Sequence, residues 1–168
     1  MSEVHGIVYA YHSSPRLGDL TRYRTNASLP FCGRYRLIDF ALSSLSNAGV
    51  HSVGVIMQRD YQSLLDHLGS GKAWDLSRRS GLHLLPPFGV NTRGDYTGTA
   101  EALNAVISYV RNIPEPEVVL MPADIVCNLD LAAAIAQHNA SGCGITAICR
   151  DGAVTGEHHR YLTDDRGR

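Results

Sequence analysis

Three segments of the chain carry residues whose types and spacing suit phosphate or nucleotide chemistry: His12 to Arg34, Tyr96 to Glu101, and Pro122 to Asn128. Asp124 follows the apolar run Val118-Val119-Leu120-Met121. A carboxylate just past a strand sits at the carboxyl edge of a sheet, where a Mg²⁺ escorting a nucleotide needs a hard oxygen ligand. The plainer reading is a turn aspartate bonded to its own backbone. In Tyr96-Thr97-Gly98-Thr99-Ala100-Glu101, the residues Gly98, Thr99 and Ala100 fall at a helix start, where free backbone N–H groups suit the polar groups of a nucleotide. Simple capping by Thr97 or Thr99 explains the same residues. His12 to Arg34 holds Pro15, Gly18, Pro30 and Gly33, lacks steady periodicity, and is long enough for a functional loop.

These segments need a scaffold, and the hydrophobic pattern supplies one. His5 to Tyr11 reads as a buried first strand, Val50 to Met57 as a second, Leu82 to Leu85 as a short one closed by Pro86-Pro87, Glu117 to Met121 as a buried one and Gly144 to Arg150 as the last. Helical spacing runs from Leu37 to Ala48, from Tyr61 to Leu68, from Thr99 to Val110 and from Leu131 to Asn139. Glu101 is acidic in a first turn, as the helix dipole favours. Strand and helix alternate, the pattern of an open, mainly parallel sheet covered on both faces. Such sheets bind ligands beyond the carboxyl ends of their strands, so the three segments should converge there.

Size and charge narrow the function classes. The 168 residues can bury one substantial core, 44% of them are hydrophobic, and the formal net charge is −1. That balance gives no electrostatic reason to expect nucleic acid or an anionic membrane as a partner. The start has no signal-like segment and no apolar run approaches the roughly 20 residues that span a bilayer, so a cytoplasmic location is expected. Cys32, Cys127, Cys143 and Cys149 form no CxxC pair and read as reduced packing residues. His158-His159 reads as exposed surface rather than a metal site. The polar turn Tyr161 to Arg168 looks ready to reverse into another strand, which implies a piece of a longer protein.

Taken together, the blocks Arg16-Leu17-Gly18-Asp19-Leu20-Thr21, Leu29-Pro30-Phe31-Cys32-Gly33-Arg34-Tyr35-Arg36-Leu37-Ile38-Asp39-Phe40, Ser46-Asn47-Ala48-Gly49 and Tyr96-Thr97-Gly98-Thr99-Ala100-Glu101-Ala102 resemble, in order, those of glucose-1-phosphate adenylyltransferases. The resemblance covers residues from about 5 to 150 and implies a Rossmann-like nucleotidyltransferase fold of the nucleotide-diphospho-sugar type. Residues 1–168 would form its N-terminal part, with a left-handed β-helix domain following in the full-length protein. It further implies ATP and glucose 1-phosphate as substrates and Mg²⁺ as cofactor, with Arg16 as phosphate contact, Asp124 as metal ligand and Gly98-Thr99-Ala100 as nucleotide contact.

The departures matter as much. Family members begin with a glycine-rich GGGxGxRLxxLT loop and a lysine in an RAKPA-like stretch; here the loop is Ala10-Tyr11-His12-Ser13-Ser14-Pro15-Arg16-Leu17-Gly18, and Asn26 stands in the lysine's place. Bulky Tyr11 and His12 and the donor-less Pro15 spoil a backbone phosphate cradle, and Asn26 brings no charge. Loss of both cationic and amide stabilisation predicts a rate lower by powers of ten. The loop is accordingly expected to be mobile or folded away from the sheet edge. This combination, with Tyr61 to Leu76 and Leu84 to Phe88, resembles the GlgD-type companion branch of bacterial glycogen synthesis, which implies association with a catalytic homologue and weak or absent binding of ATP or sugar phosphate. No GxGxxG follows the first strand, which argues against a nicotinamide-binding domain.

Overall fold

The computed structural model describes residues 3–77, 81–87 and 96–149. They belong to two compact units, Met1–Ala133 and Ala134–Arg168.

In the first unit, β1 (Val4–Tyr9) is followed by two 3₁₀ turns, Pro15–Thr21 and Asn26–Ser28, and by a small hairpin of β2 (Pro30–Phe31) and β3 (Tyr35–Arg36). Then come α1 (Leu37–Asn47), β4 (Val53–Ile56), α2 (Gln62–Leu68) and β5 (Leu82–Leu85). The short helices α3 (Thr99–Ala105) and α4 (Ile107–Val110) lead to β6 (Glu117–Pro122) and to the start of α5 (Leu131–Ser141). The main sheet has the order β5-β4-β1-β6, and all of its pairings are parallel. Strands buried on both faces need apolar residues at successive positions, which Val4 to Val8 and Val53 to Ile56 provide around His5, Gly6 and Gly54.

Side-chain alternation assigns the two faces. A Cβ on Gly6 would meet Leu45 of α1 and Val53 of β4, so the even positions of β1 face α1. Ile7 and Ile56 instead pack with Leu85, Ala102 and Val106, so α3 and α4 cover the opposite face. Helices thus lie on both sides of a parallel sheet, as the alternating pattern predicts. On α1, Ile38, Ala41, Leu42 and Leu45 are buried at helical spacing. Asp39 accepts a hydrogen bond from the Arg36 N–H (3.0 Å) and pairs with His67 Nε2 (2.6 Å), which ties the start of α1 to α2.

Four expectations are corrected. Thr99 to Val110 is two helices, because Val106 leaves helical geometry (φ −112°, ψ 24°). The break accompanies Tyr109, whose ring lies over β4 where a Cβ on Gly54 would come within 2.9 Å of it, and whose hydroxyl bonds His5 Nε2 at 2.9 Å. Apolar periodicity does not register that tertiary contact. β6 is an outer strand of the described sheet, not a buried one: Val118 and Leu120 are 42% and 47% exposed on the α3–α4 face. In the second unit, α5 runs on to Ser141, but residues 144–149 form no strand and are exposed, having no described strand to take up their hydrogen bonds. All four cysteines are exposed rather than packed. His158-His159 and the turn at 161–168 lie outside the described residues.

Two predictions follow from this packing. Leu42 is fully buried, so Leu42→Ala should lower unfolding free energy by about 2–5 kcal/mol in urea titration. His5 is 2% exposed, and its Nδ1 faces Glu115 Oε2 at 3.4 Å without a hydrogen bond from either atom. Burial pushes its pKa below the ordinary 6.5, against the opposing pull of Glu115 and with the help of His83. The fold therefore favours the neutral ring, and the unfolded chain gains the extra proton as pH falls below 6.5. The urea midpoint should drop more steeply between about pH 7.5 and about pH 5.5 in the wild type than in His5→Gln.

Candidate functional site

From β1 the chain moves to β4 and β5 on one side, then crosses to β6 on the other. The carboxyl ends of β1 and β6 therefore flank the switch point where open parallel sheets hold ligands. Two hydrogen bonds extend the ladder into this region: the Ala10 N–H donates to the Ile56 carbonyl (2.9 Å) and the Ala123 N–H to the Tyr9 carbonyl (3.1 Å). Tyr11 and Asp124, each one residue further on, are thereby fixed at the edge.

Asn26 joins the two sides. It is 9% exposed, its backbone N–H donates to the His12 carbonyl (2.8 Å), its Oδ1 accepts the Ser14 N–H (3.0 Å), and its Nδ2 donates to Asp124 Oδ2 (2.9 Å). The loop after β1 is thus anchored at the sheet edge, which overturns the expectation that it folds away. The sequence pattern offered no glycine cradle to hold it, and a side-chain amide serves instead. Within the loop, Gly18 takes φ 53°, a conformation that suits glycine, at a kink inside the first 3₁₀ turn. Arg16 is exposed on that same turn.

Tyr11 closes the crevice on its other flank. Its ring is 5% exposed and meets Tyr96 edge-on, with centroids 5.1 Å apart. Burial pushes its hydroxyl pKa up, against the weaker opposing pull of the Thr99 side chain. Tyr96 is held by its N–H donating to Gln58 Oε1 (3.0 Å), and Gln58 is buried just past β4. Of the proposed nucleotide contacts, Gly98 is the residue before α3 in extended backbone (φ −176°), Thr99 faces Tyr11, and Ala100 is exposed. Neither Thr97 nor Thr99 caps α3 with its side chain. Glu101 Oε2 instead accepts from the Thr97 N–H (2.7 Å) and hydroxyl (2.8 Å), and these bonds hold its carboxyl below the usual range.

The structure therefore brings Asn26, Asp124, Tyr11, Thr99, Tyr96 and Gln58 to one edge of the sheet. Sequence reading missed Gln58 and the role of Tyr11. Gln58 had the same signal as Asp124, a polar residue directly after an apolar strand. One oxygen of Asp124 accepts the Asn26 amide, and among the described residues no three His, Cys, Asp or Glu side chains cluster, so a Mg²⁺ at this edge would need phosphate oxygens of a nucleotide as further ligands. A single carboxylate does not make a resident Mg²⁺ site.

Residues 6–161 match the nucleotidyl transferase family. The chain belongs to that family. It is 36% identical over 137 residues to the glycogen biosynthesis protein GlgD of Bacillus subtilis, covering 81% of this chain and 40% of the relative. It is 39% identical over 141 residues to glucose-1-phosphate adenylyltransferase of Thermomicrobium roseum, covering 82% and 33% respectively. The chain thus spans well under half the length of these curated relatives. A crystal structure from Bacillus anthracis assigned as a glucose-1-phosphate thymidylyltransferase superposes with a TM-score of 0.65 at 20% identity, over 83% of this chain and 51% of that one. The Rossmann-like nucleotidyltransferase fold expected from the sequence is the fold observed. Among the described residues no helix is long and apolar enough to cross a membrane.

If Asn26 is the bridge, Asn26→Ala leaves Asp124 and the Ser14 N–H without it and should destabilise the fold by about 1–3 kcal/mol. Trypsin cleavage after Arg22 and Arg24 should accelerate in the variant, read by gel densitometry.

Proposed function

We propose that the chain is the N-terminal, nucleotidyltransferase-like portion of a companion subunit in ADP-glucose and glycogen synthesis, catalytically inactive or weakly active, which associates with a catalytic glucose-1-phosphate adenylyltransferase homologue. The observation that carries this reading is the Asn26–Asp124 hydrogen bond at the switch point, in a loop that lacks phosphate-cradling glycines. Transfer of a phosphoryl-type group builds negative charge that cations and convergent backbone amides stabilise. Asn26 stands where related enzymes carry a lysine, brings no charge, and occupies one oxygen of the edge carboxylate. Packing and interfaces survive such changes, whereas transfer chemistry needs charge placed within a fraction of an ångström. The similarity to GlgD of Bacillus subtilis supports the same reading.

A second reading is an active enzyme that converts ATP and glucose 1-phosphate to ADP-glucose and pyrophosphate with Mg²⁺. It is favoured by the retained carboxylate at the sheet edge and by the 39% identity to the Thermomicrobium roseum enzyme. Arg16 would then contact phosphate and Asp124 would share the metal with the nucleotide.

An assay of ADP-glucose formation by the full-length protein, by a catalytic homologue and by their mixture separates the two. The expected result is little activity alone, a mixed oligomer on gel filtration, and altered turnover in the mixture. Robust activity of the protein alone eliminates the companion reading; an inactive protein that forms no complex eliminates the regulatory role. Asn26→Lys should restore little, because the missing glycines are a separate requirement.

A further inference from the structure

We infer that Tyr11 is a built-in occupant of the nucleotide crevice: its ring fills the place of a nucleobase, so the wild-type crevice is closed to nucleosides. The inference deepens the reading above and rests on its assignment of this edge as the nucleotide site. Tyr11 lies two residues past the end of β1, at a position where the resemblance leads one to expect part of a glycine loop, and it is 5% exposed. It does not lie over the surface but extends the apolar layer formed by Ile7, Ile56, Leu85, Ala102 and Val106 to the carboxyl end of the sheet.

The surroundings of the ring have the character of a base-binding slot. Small-molecule sites are mostly apolar, with a few placed polar groups that fix orientation. Here the apolar wall is that layer together with Tyr96, which meets the Tyr11 ring at 5.1 Å. The polar groups are the Thr99 side chain, near enough to the Tyr11 hydroxyl to influence it, and the Gln58 carboxamide, whose Oε1 accepts the Tyr96 N–H at 3.0 Å. Tyrosine resembles a base in being a flat aromatic body with a polar rim, and it satisfies the slot from within. Removal of a buried ring from a packed layer leaves a cavity that flat aromatic ligands can enter, since such interiors relax only partly.

The test is adenosine binding by calorimetry to the wild-type chain and to Tyr11→Ala, with Tyr11→Phe as the ring-retaining control. Adenosine carries no phosphate, so its binding does not depend on the altered loop. The wild type and Tyr11→Phe should show no saturation, while Tyr11→Ala should saturate with a Kd at least about tenfold below the limit set by the wild type. Phenol, which mimics the deleted side chain, should compete with adenosine for the new cavity. If Tyr11→Ala does not fold, Tyr11→Val retains more of the core and answers the same question. Adenosine binding by the wild type, binding in neither small variant, or binding that phenol does not displace overturns the inference. None of these results bears on the companion reading, which stands or falls on ADP-glucose formation and complex assembly.

Discussion

Strand β1 is hydrogen-bonded on both sides, to β4 and to β6, and the position of every functional residue derives from that pairing. Parallel ladders with Val8 opposite Val55 on one side and Met121 on the other set the heights at which the strands end. The Ala10 and Ala123 amides extend the ladders beyond the regular strands, so the segments that follow β1 and β6 leave the sheet at one level. A slip of one residue in either pairing would turn Tyr11 or Asp124 to the opposite face.

At that level the crevice differs from the family pattern in two independent ways. The first is electrostatic, since Asn26 satisfies Asp124 with a neutral amide where a lysine is expected. The second is steric, since Tyr11 brings a ring where the family pattern has a glycine. Both leave the fold intact, because Asn26 is hydrogen-bonded in its new role and the Tyr11 ring is buried against Tyr96. Loss of a charge is thus compatible with a well-satisfied interior: the buried polar groups of Asn26 find partners that lysine would not supply in the same geometry.

Two polar clusters away from the crevice secure the layers to the sheet. Asp39 and His67 join α1 to α2, while Tyr109 of α4 meets His5 of β1, whose other ring nitrogen faces Glu115. The second is the less settled energetically, since His5 Nδ1 and Glu115 Oε2 face one another without a hydrogen bond. This cluster lies at the amino end of the sheet, at the opposite end of β1 from the crevice.

The sequence alone determined the α/β alternation, the strands β1, β4, β5 and β6 to within a few residues, the buried face of α1, and the placement of Asp124 just past a strand. These are local properties, set by side-chain periodicity and by glycine and proline, so one-dimensional reading reaches them. It also exposed Asn26 and the missing glycines as departures. Only the tertiary structure decided what those departures do. The bond from Asn26 to Asp124 spans 98 residues and that from Tyr109 to His5 spans 104, and no local pattern encodes either partner. The break at Val106, the exposure of Val118 and Leu120, and the burial of Tyr11 follow from which strands become neighbours and which helix covers them, a choice made by packing of the whole layer rather than by any segment of it.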